Sequence, residues 1–159
     1  LIEAAHEWRV DVFVNNAGVY SRGPFAGLSA EDVRDVVAVN LVAPMLLTLG
    51  IFPFMAARGS GLIININSVA GRIPNGAEAV YCAAKHGLAG FARSFQDEAI
   101  RAGVRILTVY LGAMDTAMTG RQDSSKLIRS DEAAAAIVSA CANYESLQVR
   151  ELVIGRLIY

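Results

Sequence analysis

Cysteine is scarce in this chain. Cys82 and Cys141 are the only two among 159 residues, too few and too isolated for a disulfide scaffold or a zinc cluster, and a reducing cytoplasm is the expected compartment. An excess of charge is lacking too. Fourteen Lys and Arg face fifteen Asp and Glu, a formal net charge of −1, which excludes a basic nucleic-acid face as the main theme, so no nucleic-acid partner is expected. His6 and His86 have no partners at ligand spacing, so no metal site is expected. Leu1 to Val10 does not read as a secretory leader, because Glu3, Glu7 and Arg9 run through it. Long uncharged apolar runs are nearly absent. The exception, Leu41 to Ala57, spans 17 residues and contains Pro44, Gly50 and Pro53. That is the short limit for a membrane span, and neither a second span nor a basic flank supports insertion. The expected reading is a helix buried on all sides in a soluble protein or its dimer interface, with no membrane partner.

What is present is core-forming material: 54% hydrophobic and 18% charged residues, enough for one domain over residues 1–159. The apolar period alternates along the chain. Leu1 to Trp8 reads as the end of an amphipathic helix, with Trp8 and Phe13 as packing residues, and Val10 to Val14 as a strand. Ser29, followed by Ala30-Glu31-Asp32, starts a helix that continues, with a kink, to about Arg58. Gly59-Ser60-Gly61 breaks it, and Leu62 to Ile66 reads as a buried strand. A loop from Ser68 to Gly76 leads to a helix over about 79–102, closed by Gly103. Val104 to Tyr110 is a strand, Asp131 to Asn143 a helix, and Glu151 to Ile154 a last strand. Strands alternating with helices imply α/β architecture with a parallel sheet, in which ligands bind beyond the carboxyl ends of the strands.

Chemistry is therefore sought at strand ends and helix starts. Asn16 follows the first strand, Ser68 the second, and Tyr81 stands near the start of the long helix with Lys85 one turn on. A phenol with its ordinary pKa near 10 is a poor acid/base at neutral pH. A nearby ammonium and the positive helix end both favour the phenolate and would lower that value. Taken alone, the same pair is what many helices carry on their surface. Asn40 lies inside a helix with Pro44 four residues on. Proline has no N–H, so the Asn40 carbonyl loses its helical partner. The site then serves either as a plain kink or as a place to hold an ordered water.

Together, Asn15-Asn16-Ala17-Gly18, Asn40, Ser68 and Tyr81-Cys82-Ala83-Ala84-Lys85 resemble the short-chain dehydrogenase/reductase family. The separations agree with that family: 24 residues from Asn16 to Asn40, 13 from Ser68 to Tyr81 and 4 from Tyr81 to Lys85. The resemblance implies a Rossmann-like doubly wound sheet and alcohol–carbonyl interconversion on a small molecule, with NAD or NADP as cofactor. It implies Tyr81 as acid/base and Ser68 as hydrogen-bond partner of the substrate oxygen. Lys85 would lower the Tyr81 pKa and bind the ribose, and Asn40 would hold a water beside Lys85. Asn16, Ala17, Gly18, Met114 and Thr116 would line the cofactor. It also implies a homodimer or homotetramer built on the helices over about 29–58 and 79–102.

Three departures stand out. The Gly-rich turn with which the family begins does not occur, so the expectation is a chain lacking its first βαβαβ half and, with it, the residue that selects NAD or NADP. Leu111-Gly112 replaces the family's Pro-Gly, which should loosen the segment around Met114, and Asn67 replaces a frequent Ser with no expected consequence. Alternatives to the dehydrogenase are a truncated chain that folds or oligomerises without binding dinucleotide, and an epimerase or dehydratase on the same scaffold.

Overall fold

A computed structural model of the chain describes residues 2–7, 9–21, 23–116, 118, 127–142 and 148–156. In chain order its elements are helix α1 (Ile2–Glu7), strand β1 (Val12–Asn15), helices α2 (Ala30–Val37) and α3 (Ala43–Arg58), strand β2 (Gly61–Ser68), helix α4 (Ala79–Arg101), strand β3 (Val104–Leu111), helix α5 (Ser130–Ala140) and strand β4 (Glu151–Ile154). The strands lie in the order β1-β2-β3-β4, and every neighbouring pair is parallel. Parallel pairs need long crossovers, which α2–α3 and α4 provide.

The two-residue period of each strand sorts its side chains between two cores. Phe13, Ile63 and Ile106 share a row of the sheet and pack against Ile51 and Met55 of α3 and Ala92 and Ala99 of α4. On the opposite face Leu62, Ile64, Leu107 and Val109 pack against Ile137 and Ala140 of α5. Val12 and Val14 belong to this second face through their pairing with Leu62 and Ile64. They are 48% and 46% exposed, so the cover on that face stops short of β1.

Ser29 starts α2 as its sequence suggests. Its hydroxyl accepts from the Asp32 N–H at 3.0 Å, and the Asp32 carboxylate accepts from the Ser29 N–H at 2.8 Å, a closed capping box. The expected simple kink ahead of Pro44 is instead a π-helical turn, Ala38–Val42, in which the Ala43 N–H reaches back to the Ala38 carbonyl. Pro44 cannot donate to Asn40 and its ring crowds that carbonyl, so the helix widens by a residue there and carries on into α3.

Within a single copy of the chain the apolar run is buried on one side only. The buried residues of α3 are Pro44, Thr48, Ile51 and Met55, a single stripe at helical spacing, whereas Leu46 and Leu49 are 58% and 71% exposed. One sheet face, α4 and α1 cover the helix only in part. Helical backbone from Ala30 to Arg58 is long and apolar enough to cross a membrane by length and composition, yet its buried stripe is part of the sheet core. The strand bounds differ slightly from expectation: β1 ends at Asn15, and β2 extends through Ser68. Helix α5 ends at Ala140; Asn143 and Trp8 lie outside the described residues.

Candidate active site

Ser68 is the last residue of β2 and Tyr81 the third of α4. The chain folds back between them because Ser68 caps a short 3₁₀ turn, its hydroxyl accepting from the Ala70 N–H at 3.1 Å. This return puts the Ser68 side chain beside the Tyr81 phenol. Lys85, one turn further along α4, is only 5% exposed. Its Nζ donates to the Ile66 carbonyl at 3.1 Å and lies 5.7 Å from the centre of the Tyr81 ring. Hydroxyl, phenol and ammonium thus meet at the carboxyl end of β2, where a parallel sheet places its ligands.

Asn40 reaches the same neighbourhood from the π turn. It is fully buried, and its Nδ2 donates to the Val19 carbonyl at 2.7 Å and the Val36 carbonyl at 2.9 Å. Its Oδ1 is buried without a protein partner. Gly18 lies over this atom: a Cβ there would stand 3.0 Å from Asn40 Oδ1 and 4.0 Å from Lys85 Nζ. Asn40, Gly18 and Lys85 are therefore immediate neighbours, and a larger residue at 18 would intrude between them. Asn16 and Ala17 sit exposed just beyond β1. Met114 and Thr116 lie beyond β3, and Met114 pairs with Ile128 in an isolated bridge. The Met118 methyl approaches within 4.0 Å of the same Gly18 position, so this segment also borders the site.

Leu111 carries β3 on to the start of that segment. Leu111 pairs with Ser68 on one side and Ile154 on the other. The Gly112 N–H donates to the Ile154 carbonyl, and Asp115 N–H to the Ile128 carbonyl, both at 2.9 Å. Leucine keeps an N–H and unrestricted backbone angles, so the strand runs one residue further than a proline would allow.

Burial governs the electrostatics. The Lys85 ammonium is pushed down to about 8, because removal from water disfavours its charge. Tyr81 is displaced upward, contrary to the expected lowering by Lys85. Desolvation is the largest cause; the Ser68 hydrogen bond opposes it, and the Glu78 and Cys82 charges reinforce it. The Lys85 ammonium is bound to the Ile66 carbonyl, and at that position it does not outweigh the loss of water around the phenol.

The roles of three residues beside the site were missed in the sequence. Asn67, expected to be inconsequential, is 3% exposed and bridges the machinery. Its Nδ2 donates to the Lys85 carbonyl at 3.0 Å, and its Oδ1 accepts from the Ser68 N–H at 2.7 Å. No local pattern marks such a tertiary bridge. Tyr20 and Glu78 form the other contact: the Tyr20 hydroxyl donates to the Glu78 carboxylate, and the Tyr20 ring meets the Tyr81 ring edge-on at 5.0 Å. A signal for Glu78 did exist, since it is the only charged residue between Arg72 and Lys85.

Known proteins agree with this architecture. The family model for short chain dehydrogenases matches residues 2–127, and the chain belongs to that family. Nodulation protein G of Rhizobium meliloti (strain 1021) is 39% identical over 112 residues, which are 70% of this chain and 46% of that protein. The 3-oxoacyl-acyl-carrier-protein reductase FabG of Escherichia coli (strain K12) is 36% identical over 110 residues, 69% of this chain and 45% of that protein. The chain spans about half the length of the curated relatives it matches. Among solved structures, a metagenomic short-chain oxidoreductase in complex with NADP is 29% identical, with a TM-score of 0.80, covering 99% of this chain and 69% of that one.

Proposed function

We propose that this chain carries the catalytic segment of an NAD(P)-dependent oxidoreductase that interconverts a small-molecule alcohol and its carbonyl. The observation that carries this reading is the convergence of Ser68, Tyr81 and a buried Lys85 at the end of β2. A relative named as a 3-oxoacyl reductase and a similar fold in complex with NADP support it. The residues present fit the sugar and nicotinamide portion of such a cofactor. Lys85 Nζ has further donor capacity beside its bond to Ile66. The orphaned Asn40 Oδ1 and the side-chain-free Gly18 leave a polar cradle beside it. Asn16 and Ala17, together with Met114 and Thr116, would line the approach.

When bound, the nicotinamide supplies the hydride. The chain's own residues handle the oxygen. Ser68 Oγ, already against the phenol, hydrogen-bonds the substrate oxygen and steadies negative charge developing there. Tyr81 Oη gives its proton to that oxygen in reduction and takes it back in oxidation. Lys85 favours the phenolate left behind, and Asn40 orders the polar groups next to Lys85. Asn67 holds Ser68 and Lys85 in register through its two hydrogen bonds.

The protein is proposed to be a single-domain cytoplasmic enzyme and an oligomer. The open stripe of Val42 at the end of the π turn and Met45, Leu46 and Leu49 on α3 supports pairing with a second copy, as homodimer or homotetramer. Light scattering at micromolar concentration should give at least a dimer. For the chemistry, Tyr81→Phe should lower turnover of a panel of carbonyls with NADH or NADPH by about 10²- to 10⁴-fold, the usual worth of a general acid. Nucleotide binding by fluorescence should survive that change. Undiminished turnover would refute the assignment.

A further inference from the structure

Resting on the reading of Tyr81 as the acid/base, we infer that Tyr20 and Glu78 are positioning residues for it. The Tyr20 ring braces the phenol from the side, and its hydroxyl holds the Glu78 carboxylate as a fixed negative charge at the start of α4. Glu78 occupies the N-cap position of α4 but makes no side-chain cap. A carboxylate there would ordinarily turn to the free N–H groups of its own helix, where the helix dipole favours it. Here it turns to a hydroxyl 58 residues away in sequence, and the residue is only 8% exposed. The Tyr20 ring stands 85° to the Tyr81 ring. A backbone bond from Gly23 N–H to the Ala77 carbonyl, 2.9 Å, ties the same two loops together. The loop after β1 and the turn before α4 are thus joined at two points.

The groups facing Tyr81 can be named element by element. Its own helix supplies Glu78, Cys82 and Lys85, β2 supplies Ser68, and the loop after β1 supplies Tyr20. Helix α2 presents Val33, Val36 and Val37 to this cluster, and Leu28 and Leu41 flank it. Arg72, past the 3₁₀ turn, is directed to the Tyr110 ring. Glu78 is therefore the carboxylate among these groups and acts against Lys85. A nearby negative charge disfavours the phenolate, so the pair keeps the proton on Tyr81. A site biased this way is set to donate a proton to a carbonyl oxygen, which is the reducing direction.

The test uses the complete protein, and Glu78→Gln, Tyr20→Phe and Tyr81→Phe are compared. Phenol ionisation is followed by ultraviolet absorbance, with Tyr81→Phe subtracted to isolate the Tyr81 transition, alongside the pH profile of carbonyl reduction. Glu78→Gln keeps the shape and removes the charge. It should move both the Tyr81 transition and the alkaline limb of kcat/KM to lower pH by about half to one unit. Tyr20→Phe keeps the ring and releases the carboxylate, and should move both the same way by less. A Tyr81 transition unmoved in both variants overturns the inference. If Tyr81→Phe retains full turnover, the acid/base reading fails by itself, and the absorbance titration still decides whether the pair acts on the phenol.

Discussion

The amide of Asn67 joins the end of β2 to α4, and its removal has a calculable cost. Asn67→Ala deletes the bond to the Lys85 carbonyl and the acceptor for the Ser68 N–H. The Lys85 carbonyl lies within α4 and retains its helical partner, so that loss should cost about 1 kcal/mol. The Ser68 N–H loses the acceptor it has at 2.7 Å, and a part-buried donor left without one costs about 1–3 kcal/mol. The expected total is about 2–4 kcal/mol, read as a lowered urea midpoint at unchanged slope. Asn67→Leu fills the volume without an amide and should lose a similar amount, which separates the hydrogen bonds from the cavity. Asn67→Ser can satisfy one of the two partners and should fall between. Because Ser68 and Lys85 both shift, kcat for carbonyl reduction should drop more than KM rises. A change below about 0.5 kcal/mol in both Ala and Leu variants, with kcat intact, would refute the bridging role.

Lys85 predicts a pH-dependent stability. Its folded pKa of about 8 lies below the ordinary 10.5, so between those values the unfolded chain binds the extra proton and stability rises with pH. Measured as the difference in unfolding free energy between wild type and Lys85→Met, the wild type should gain up to roughly 3 kcal/mol across that window. A flat difference would mean that Lys85 titrates as in water. Gly103 predicts a purely structural loss. It has φ of 74°, and a Cβ there would lie 2.2 Å from the Gly59 carbonyl oxygen. Gly103→Ala should cost about 3 kcal/mol or more, from strain and overlap together, and lower the melting temperature without altering KM.

Much of the scaffold was legible because it depends on neighbours in sequence. The apolar periods located four strands, and Ser29 with Asp32 set the start of α2 through a bond three residues long. Spacing along α4 put Tyr81 and Lys85 one turn apart. Pro44 marked the break in the long helix, although whether it would kink or widen depended on how α2 and α3 had to lie on α4. The half-covered stripe of α3 was illegible for a related reason: composition records that a residue is apolar, while burial depends on which surfaces arrive to cover it.

The sequence by itself determined the order of strands and helices, the set of residues able to do acid/base chemistry, and their separations along the chain. Only the tertiary structure decided their electrostatic state. The upward displacement of Tyr81, the downward displacement of Lys85, the Asn67 bridge and the Tyr20–Glu78 contact all join residues or impose dehydration across distances that no local pattern encodes. Desolvation and through-space charge follow from which groups the fold brings together, and so they appear only once the sheet and its helices have closed around the site.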